Sequence, residues 1–457
     1  MIHTALSDLV QPLAAELVGD DVCFSDVSID TRTLRPGQLF VAIIGPRFDG
    51  HDYVVAALEK GAAGAVVSRQ PAGVKGPLLL VDDTRIALGR IGAFNRQCFD
   101  GVVIGITGSS GKTSTREMIA AICREAGETL VTESNWNNDF GVPVILSRLE
   151  ECHQYAVIEM GTNHPGEIEY VARLAAADIA LVTNASEAHL AGLGSLAGVV
   201  VEKGAILDSL PVDGTAVLNA DDPACDEWSE RVRQQSARKL LCFSLANRQA
   251  DCYVSGIRSL DDGMHFTLHA GRERVNVHLH VWGEHQVANA CAAAAVALAA
   301  GLPFTAIVRG LETVRPCPRR GQRFRGRNGA LVIDESYNAN PASTRAAIDV
   351  LVACPGERIL VLGDMAELGD QTESEHRRAG QYAREAGVDV LMTYGEQSRS
   401  ARESWSDAGA HFASKTLLID DLLPRLGADV AVLVKGSMSM GMNEVVMACG
   451  EPEKESR

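Results

Sequence analysis

The chain has 457 residues, 46% of them hydrophobic, and a formal net charge of −17. The length allows about two to four domains, and the composition is ordinary for a soluble globular protein. The acidic excess disfavours a general nucleic-acid binder, so no nucleic-acid partner is expected.

No segment has the pattern of a targeting or membrane-spanning sequence. Residues 1–20 carry several acids and lack the basic stretch of a signal peptide. The uncharged run QVANACAAAAVALAAGLPF (286–304) is mostly alanine and contains glycine and proline, so it predicts a buried helix. The eleven cysteines form no C-x-x-C pair, which is typical of reduced, mostly buried thiols. We therefore expect a cytoplasmic protein without membrane insertion.

The predicted elements fall into three regions. Residues 1–85 contain short apolar strands, separated by glycine and proline turns, and one helical stretch, YVVAALEKG. The second region contains the strand GVVIGIT and then alternates strands and helices. The third begins near 315 and alternates in the same way, up to a tail, EPEKESR, that we expect to be disordered. Alternation of this kind predicts parallel sheets covered by helices, with a ligand cleft between the two larger units.

Residues 105–114 (GITGSSGKTS) nearly match a phosphate-binding loop. The pattern G-x-x-x-x-G-K-S/T needs glycine where Ile106 stands, whereas this chain has glycines one place before it and at Gly108. The order of strand, glycine loop and helix still suits phosphate, because backbone N–H groups before a helix can cradle its oxygens. Lys112 adds a positive charge, and Thr113 offers a hydroxyl to Mg²⁺. The segment therefore predicts a nucleotide site.

Other polar residues follow apolar strands, on the side of an α/β sheet where ligands bind. Glu159 ends the strand YAVIE and suits a second metal anchor, and His189 follows DIALVTNA. By residue type alone, Lys203 is a surface lysine and SNWNNDFGVP (134–143) is a loop. DESYNANP (334–341) places acids and asparagines after a strand, a combination that can hold a ribose.

Together these segments resemble the Mur ligase family of peptidoglycan synthesis. The family's loop, G-x-T-G-x-x-G-K-T, matches GITGSSGKT with both displaced glycines, and SDVSIDTR, LRPGQLFVAIIG and FDGHDY resemble its UDP-sugar-binding domain. The resemblance covers essentially the whole chain and implies an α/β fold of three domains. These are a small N-terminal α/β domain (1–85), a central P-loop ATPase domain with a parallel sheet (86–314) and a Rossmann-like C-terminal domain (315–457).

The resemblance also implies a reaction. YNANP and LGDMAELG are similar to motifs of members that add D-alanyl-D-alanine, and the D-N-P-R/K motif of the diaminopimelate- or lysine-adding members is absent. It therefore implies that a monomer uses ATP and Mg²⁺ to join D-Ala-D-Ala to UDP-N-acetylmuramoyl-tripeptide (UDP-MurNAc-tripeptide) through an acyl phosphate. The alternatives are a tripeptide-forming member and a nucleotide-binding homologue without catalysis; FDGHDY disfavours a folate polyglutamate ligase.

By position in the family's motifs, the resemblance implies the following site residues. The catalytic ones are Lys112, Glu159, His189 and Lys203. Those that hold Mg²⁺ are Thr113, Glu159, His189 and Lys203, the last as a carbamate. Those at the nucleotide are Thr107, Gly108, Ser109, Ser110, Gly111, Lys112, Thr113, Asn138, Asn289, Arg323, Asp334, Tyr337 and Asn338. Those at the UDP-sugar are Ser28, Asp30, Thr31, Arg32, Phe48, Asp49, Gly50 and His51.

Two departures from the family's pattern affect this assignment. The usual G-R appears as PRRGQRF, so either Arg320 or Arg323 can be the nucleotide contact. KGSMSMGMNE has Met438 where the family usually has arginine, which removes one expected positive charge from the site.

Overall fold

The computed structural model describes residues 1–2, 4–235, 237–405 and 409–451, and their main sheets lie in three successive units. Residues 452–457 of the tail that we expect to be disordered lie outside the described residues. None of the eleven cysteines forms a disulfide, and six of them are buried: Cys123, Cys225, Cys252, Cys291, Cys354 and Cys449.

The N-terminal unit is built on a five-stranded sheet. The strands of this part of the chain are β1 (Thr4–Ala5), β2 (Glu16–Val18), β3 (Cys23–Phe24), β4 (Val27–Ser28), β5 (Leu39–Val41), β6 (Ile44–Gly45), β7 (Phe48–Asp49), β8 (Gly64–Val67) and β9 (Leu78–Leu80). Its helices are α1 (Leu6–Leu13), α2 (Val54–Glu59) and α3 (Thr84–Gln97). The sheet has the order β2-β9-β8-β5-β4 and is parallel except at β2.

The predicted strands of this unit correspond to β5, β8 and β9, and YVVAALEKG forms α2. The prediction of a single helical stretch is wrong, because α1 is a second one. Leu6, Leu9 and Leu13 of α1 are buried, which gives this short helix an apolar side. Helix α3 runs across the predicted boundary at 85/86 and packs against α1 as well as α5 and α6 of the next unit.

The central unit carries a nine-stranded sheet. Its strands are β10 (Val102–Thr107), β11 (Thr129–Val131), β12 (Tyr155–Glu159), β13 (Ile179–Val182), β14 (Thr215–Asn219), β15 (Lys239–Ser244), β16 (Cys252–Leu260), β17 (Gly263–Ala270) and β18 (Glu273–Leu279). Its helices are α4 (Lys112–Arg124), α5 (Gly141–Leu146), α6 (Glu167–Ala175), α7 (Leu190–Leu193), α8 (Leu196–Asp208), α9 (Cys225–Arg233), α10 (Glu284–Ala299) and α11 (Phe304–Thr313).

The order of this sheet is β11-β12-β10-β13-β14-β15-β16-β17-β18. It is parallel from β11 to β16, as predicted, but β17 and β18 add an antiparallel meander that the prediction of a parallel sheet lacked. Along β17 every second residue is buried, the alternation of a strand with one covered face, and turns too short for a crossover helix join these strands.

The alanine-rich run forms α10, which lies against α4 and the central sheet. From Ala290 to Ala297 no residue of this helix is more than 1% exposed, so it is buried all round, as predicted. Among the described residues, no helix is long and apolar enough to cross a membrane.

The third unit has a six-stranded sheet. Its strands are β19 (Gln322–Arg325), β20 (Leu331–Glu335), β21 (Glu357–Gly363), β22 (Val390–Tyr394), β23 (Ala410–Phe412) and β24 (Val430–Lys435). Its helices are α12 (Pro341–Val352), α13 (Thr372–Ala386), α14 (Arg399–Glu403), α15 (Lys415–Leu422) and α16 (Asn443–Cys449). The order is β19-β20-β24-β21-β22-β23, antiparallel only at β19, and a separate apolar core covers each face.

Candidate active site

A cleft of about 790 Å³ lies between the central and third units, where the alternation of strands and helices predicts one. The central unit contributes the loop after β10 and residues that follow β12 and β13. The third unit contributes residues that follow β20, β21 and β24. The carboxyl ends of parallel strands thus face the cleft from both sides, as α/β folds present them to ligands.

The loop between β10 and α4 is shaped by its displaced glycines. Gly108 has φ +148°, and a Cβ there would lie 1.9 Å from Oγ1 of Thr183. Gly111 has φ +78°, and its Cβ would lie 2.5 Å from Oδ1 of Asn289. Neither position can take a side chain without a shift in its neighbours, so glycine lets this loop pass close to β13 and α10.

The segment after β13 holds the loop in place. The Ser109 N–H donates to the backbone oxygen of Asn184 at 3.0 Å, and the Ser110 N–H donates to its side-chain oxygen at 3.0 Å. Thr183 donates through its hydroxyl to the Ser110 carbonyl at 2.7 Å. The loop is therefore fixed by hydrogen bonds before any ligand binds, which favours rigid recognition of phosphate.

Lys112 begins α4 and folds back over the loop. Its Nζ donates to the Gly108 carbonyl at 2.6 Å, and burial lowers the pKa of the amine, while the charge of Glu159 opposes that shift. Thr107, the last residue of β10, is buried and donates to the Met160 carbonyl at 2.9 Å, so its side chain supports the loop from behind.

Glu159 is the centre of a buried polar cluster at the end of β12. It is 2% exposed, and its carboxylate accepts hydrogen bonds from the hydroxyl of Thr113 at 3.1 Å and from the amide of Asn137 at 2.9 Å. Arg116 of α4, also buried, donates to it at 2.9 Å. Thr113 and Glu159 lie together as the sequence predicts, at the cleft wall.

Lys203 lies on α8 and is fully buried. Its Nζ has no hydrogen-bond partner among the described residues. Burial lowers the pKa of this amine well below its usual range, and the charge of Lys112 adds to that shift, against the carboxylates of Glu202, Glu167 and Glu159. Burial thus disfavours the charged form of this amine, and the interpretation of Lys203 as a surface lysine is wrong.

His189 lies at the cleft, at the N-terminus of α7. Its Nδ1 is 2.6 Å from Oε2 of Glu367, a residue of the third unit. The contact with His189 lowers the pKa of Glu367, against the effect of burial, and the charges of His189 and Lys112 add to the shift. Ala191 N–H also donates to the Glu367 carbonyl at 3.1 Å, so the two units meet here through both side chain and backbone.

The segment after β20 supplies the facing wall. Tyr337 and Asn338 line the cleft, and the guanidinium carbon of Arg320 lies 3.9 Å from the centroid of the Tyr337 ring. Arg320 itself lines the cleft, whereas Arg323 does not and packs over the indole of Trp282 at 4.4 Å. Of the two arginines that the sequence leaves open, the structure brings Arg320 to the cleft beside Tyr337.

The remaining predicted nucleotide residues differ in position. Asn289 of α10 lines the cleft and donates to the Gln286 side chain at 3.1 Å. Asn138 also lines it, with its side-chain oxygen accepting from the Gly141 N–H at 2.9 Å. Asp334 is buried, accepts from the Ser336 N–H at 3.0 Å and does not line the cleft.

The predicted UDP-sugar residues all belong to the N-terminal unit, and none of them lines this cleft. The Arg32 guanidinium is paired with both oxygens of Asp30, which lowers the pKa of that carboxyl. His51 is buried, with Nδ1 2.6 Å from Asp49 and Nε2 accepting from the Ser68 N–H at 2.8 Å. The other members of this set are the buried Ser28 and Gly50, the half-buried Thr31 and the exposed Phe48.

Five cleft or support residues were not singled out from the sequence: Arg116, Asn137, Asn184, Glu367 and Lys435. Lys435 is buried at the end of β24, with Nζ donating to the Asn338 carbonyl at 3.0 Å. Two signals for Lys435 are its place at the end of the apolar strand and its position at the start of KGSMSMGMNE, the segment compared with the family's pattern. No comparable signal marks Arg116, because an arginine four residues into an amphipathic helix is normally at the surface.

The parallel sheet, the phosphate loop and the facing α/β unit define a P-loop nucleotide-binding protein. Residues 24–95 match the family described as "Mur ligase family, catalytic domain". Residues 106–297 match the Mur ligase middle domain, and residues 319–438 match the "Mur ligase, glutamate ligase domain". The chain belongs to the Mur ligase family, as its motifs indicate.

Named members of this family are similar to the chain along its whole length. It is 43% identical over 453 residues to the UDP-N-acetylmuramoyl-tripeptide–D-alanyl-D-alanine ligase of Escherichia coli (strain K12), over 99% of each chain. It is 37% identical to the ligase of that name from Haemophilus influenzae, over 98% of each. Crystal structure I of MurF from Acinetobacter baumannii matches with a TM-score of 0.90 at 32% identity, over 97% of this chain and 98% of that one. The predicted α/β fold of three domains is confirmed.

Proposed function

We propose that this chain is an ATP-dependent ligase that adds D-alanyl-D-alanine to UDP-MurNAc-tripeptide in peptidoglycan precursor synthesis. Relatives that carry the name of this ligase align with nearly the entire chain. The observation that carries the proposal is the shared cleft, in which Lys112 and Glu159 of the central unit face Tyr337 and Asn338 of the third. Such a cleft can bring ATP, a carboxylate and an amine together from two units.

The reaction requires two successive steps. A carboxylate oxygen of the tripeptide attacks the γ-phosphorus of ATP, and the bond to the bridging oxygen breaks, which leaves an acyl phosphate and ADP. The amine of D-Ala-D-Ala then attacks the acyl carbon and loses a proton. The tetrahedral intermediate collapses to the amide, and phosphate leaves with the former carboxylate oxygen. Negative charge develops in both steps, so fixed cations and N–H groups near the phosphates lower the barrier.

We assign the phosphates of ATP to the backbone of residues 107–113 and to Lys112. Gly108 and Gly111 let the backbone approach the ligand, and the hydrogen bonds to Asn184 hold its N–H groups ready. Asn289, Tyr337 and Asn338 line the cleft where adenine and ribose would bind, and Arg320 takes the place expected of Arg323.

The side chains at the cleft wall fit Mg²⁺. This ion prefers oxygen ligands, and the Thr113 hydroxyl and Glu159 carboxylate lie 3.1 Å apart. We propose that these two hold one ion, and that His189 and a carbamate on Lys203 help to hold a second. When bound, Mg²⁺ offsets the negative charge of the phosphates.

Lys203 is suited to carry the carbamate. A neutral amine can attack CO₂, form an N–C bond and release a proton, which converts it into a carboxylate-like group. Burial lowers the pKa of the Lys203 amine and so favours its neutral form, and its Nζ lacks a partner among the described residues. The positive charge of Lys112, which disfavours a charged Lys203 amine, would favour a negative carbamate at the same place.

The three units of the chain are proposed to bind different substrates. We propose that 1–85 bind the UDP-sugar, that 86–314 bind ATP, and that 315–457 bind D-Ala-D-Ala and part of the nucleotide. The expected residues of the first region include the Asp30–Arg32 and Asp49–His51 pairs, and the exposed guanidinium of Arg32 would bind the diphosphate. We further propose a cytoplasmic monomer, because the substrates are cytoplasmic precursors and the cleft is formed within one chain.

The test is a substrate panel with product mass analysis. The protein is given ATP, Mg²⁺ and either UDP-MurNAc-tripeptide with D-Ala-D-Ala or UDP-MurNAc-dipeptide with diaminopimelate or lysine. We expect the pentapeptide product and phosphate release only when both members of the first pair are present. A product from the second pair would instead assign the tripeptide-forming reaction. ATP binding with no amide product from either pair would show a homologue without catalysis.

A further inference from the structure

Far along the central sheet from the phosphate loop, the meander β16–β18 carries a cluster of one carboxylate and two imidazoles: Asp262, His265 and His278. Asp262 is in the turn between β16 and β17, and His265 and His278 are directly opposite each other on β17 and β18. Opposite residues of antiparallel strands point to the same face. None of the three lines the cleft.

The ligand atoms of these residues converge. Nε2 of His265 is 3.0 Å from Oδ1 of Asp262, and Nε2 of His278 is 3.2 Å from its Oδ2. Two ligand atoms that are each about 2.0–2.1 Å from a tetrahedral ion lie roughly 3.3 Å from each other. All three ligand atoms are within 4.8 Å of one another, so small side-chain shifts would place them around one ion.

The backbone holds the carboxylate over the strand that carries the second imidazole. Gly263 has φ +138°, and a Cβ there would lie 2.2 Å from the Leu279 carbonyl oxygen. The turn can therefore press against β18 only because Gly263 has no side chain. The two imidazole rings are nearly parallel, with centroids 4.2 Å apart and an interplanar angle of 17°, so the strand pairing itself aligns them.

We propose that Asp262, His265 and His278 form a binding site for a divalent transition-metal ion of the zinc class, separate from the active site. Two imidazoles and one carboxylate are ligands that suit zinc and its neighbours, whereas Mg²⁺ prefers oxygen ligands alone. The fourth position is left to a water molecule. Both imidazoles are half-buried and the carboxylate is exposed, so an ion can reach the site from solvent.

An ion at this place would stabilise the end of the meander beside the third unit. The Trp282 indole N–H donates to the Leu260 carbonyl at 3.1 Å, which ties the chain after β18 to the end of β16. Trp282 in turn packs against the core of the third unit and under the Arg323 guanidinium. We therefore expect the ion to raise the thermal midpoint of unfolding, since it binds the folded state.

The experiment is calorimetric titration of the metal-free, full-length protein with Zn²⁺ in excess Mg²⁺, together with Co²⁺ absorption spectra. We expect one equivalent of Zn²⁺ to bind with a Kd in the micromolar range or tighter, and Co²⁺ to give visible bands of tetrahedral coordination. In the double variant H265Q/H278Q the affinity should fall at least tenfold. The matched control is His269→Gln, which removes an imidazole of the same strand that is stacked on Tyr253.

Amide-forming activity in Mg²⁺ should be the same in wild type and H265Q/H278Q. Absence of zinc binding would therefore leave the proposed ligase function intact, and absence of ligase activity would leave the zinc site intact. Three results would overturn the site: no saturable Zn²⁺ binding, equal affinity in wild type and the double variant, or an equal loss in His269→Gln. Circular dichroism checks that each variant is folded.

Discussion

Nδ1 of His189 lies 2.6 Å from Oε2 of Glu367, so a side chain that follows β13 in the central unit meets one that follows β21 in the third. Both residues have positive φ, 58° and 66°, a conformation that is uncommon for residues other than glycine. The Ala191 N–H adds a backbone hydrogen bond to the Glu367 carbonyl at 3.1 Å. This contact joins the two units across the cleft.

The contact predicts how the two units respond when it is weakened. Glu367→Gln removes the charge that faces His189, so we expect a larger radius of gyration for the ligand-free variant in small-angle X-ray scattering. Its stability should change by no more than about 1 kcal/mol, because the Glu367 side chain is half-exposed. Glu373→Gln is the control, since Glu373 pairs with Arg377 inside α13. Identical scattering of wild type and Glu367→Gln would show that this contact does not hold the two units together.

Removal of Arg116 should destabilise the protein, because Arg116 is buried and paired with Glu159. Arg116→Met leaves the buried Glu159 carboxylate without its cationic partner, a change that costs about 3–5 kcal/mol for buried pairs. In the double variant R116M/E159Q, much of the lost stability should return, whereas activity should not. Thermal midpoints and amide formation measure the two effects. Equal thermal midpoints for Arg116→Met and wild type would show that the Arg116–Glu159 pair contributes little to stability.

Replacement of Lys203 should raise the stability of the protein and lower its activity. Lys203→Met replaces a buried amine that has no partner among the described residues, so we expect a higher thermal midpoint in CO₂-free buffer. The same variant should lose at least about a hundredfold in kcat, the typical cost of one essential charged group in an active site. In Lys203→Ala, formate or acetate should restore part of the activity. Full activity of either variant without added acid is incompatible with the carbamate.

Substitution of Arg320 and substitution of Arg323 should have different effects on KM for ATP. Arg320→Ala removes a guanidinium that lines the cleft beside Tyr337, so KM for ATP should rise about tenfold. Arg323→Ala removes one that packs on Trp282, so KM for ATP should stay within about twofold of wild type, with a loss in stability instead. The reverse result would restore Arg323 as the nucleotide contact.

Much of the fold follows from local pattern. The alternation of apolar strands and amphipathic helices predicts β10, α4, β12 and β13. Such predictions are possible because the spacing of apolar residues within a segment reflects which of its side chains are buried. The sequence analysis does not predict the β16–β18 meander, because the helices that cover one face of it lie later in the chain: α10 packs on β16 and β17, and α11 packs on β18. Helix α1 was missed because eight residues with an internal Pro12 are a short helical signal.

In the candidate site too, some features follow from local sequence and others depend on tertiary packing. The glycine loop indicates Lys112 and Thr113 as site residues, and the end of a strand indicates Glu159; all three line the cleft. The burial of Lys203 could not be predicted, since it depends on how α8 packs against the central sheet. Glu367 was not predicted to meet His189, because no local pattern specifies how two units dock across a cleft.

The acyl-phosphate mechanism is tested most directly by following one oxygen atom. The tripeptide is prepared with oxygen-18 in its terminal carboxylate, and it is incubated with ATP, Mg²⁺, D-Ala-D-Ala and the protein. If the carboxylate attacks the γ-phosphorus, the released phosphate carries one labelled oxygen and the amide retains the other. Mass spectrometry of phosphate should therefore show a single oxygen-18 per amide formed. Unlabelled phosphate alongside pentapeptide product would contradict an acyl phosphate and, with it, the assigned role of the cleft.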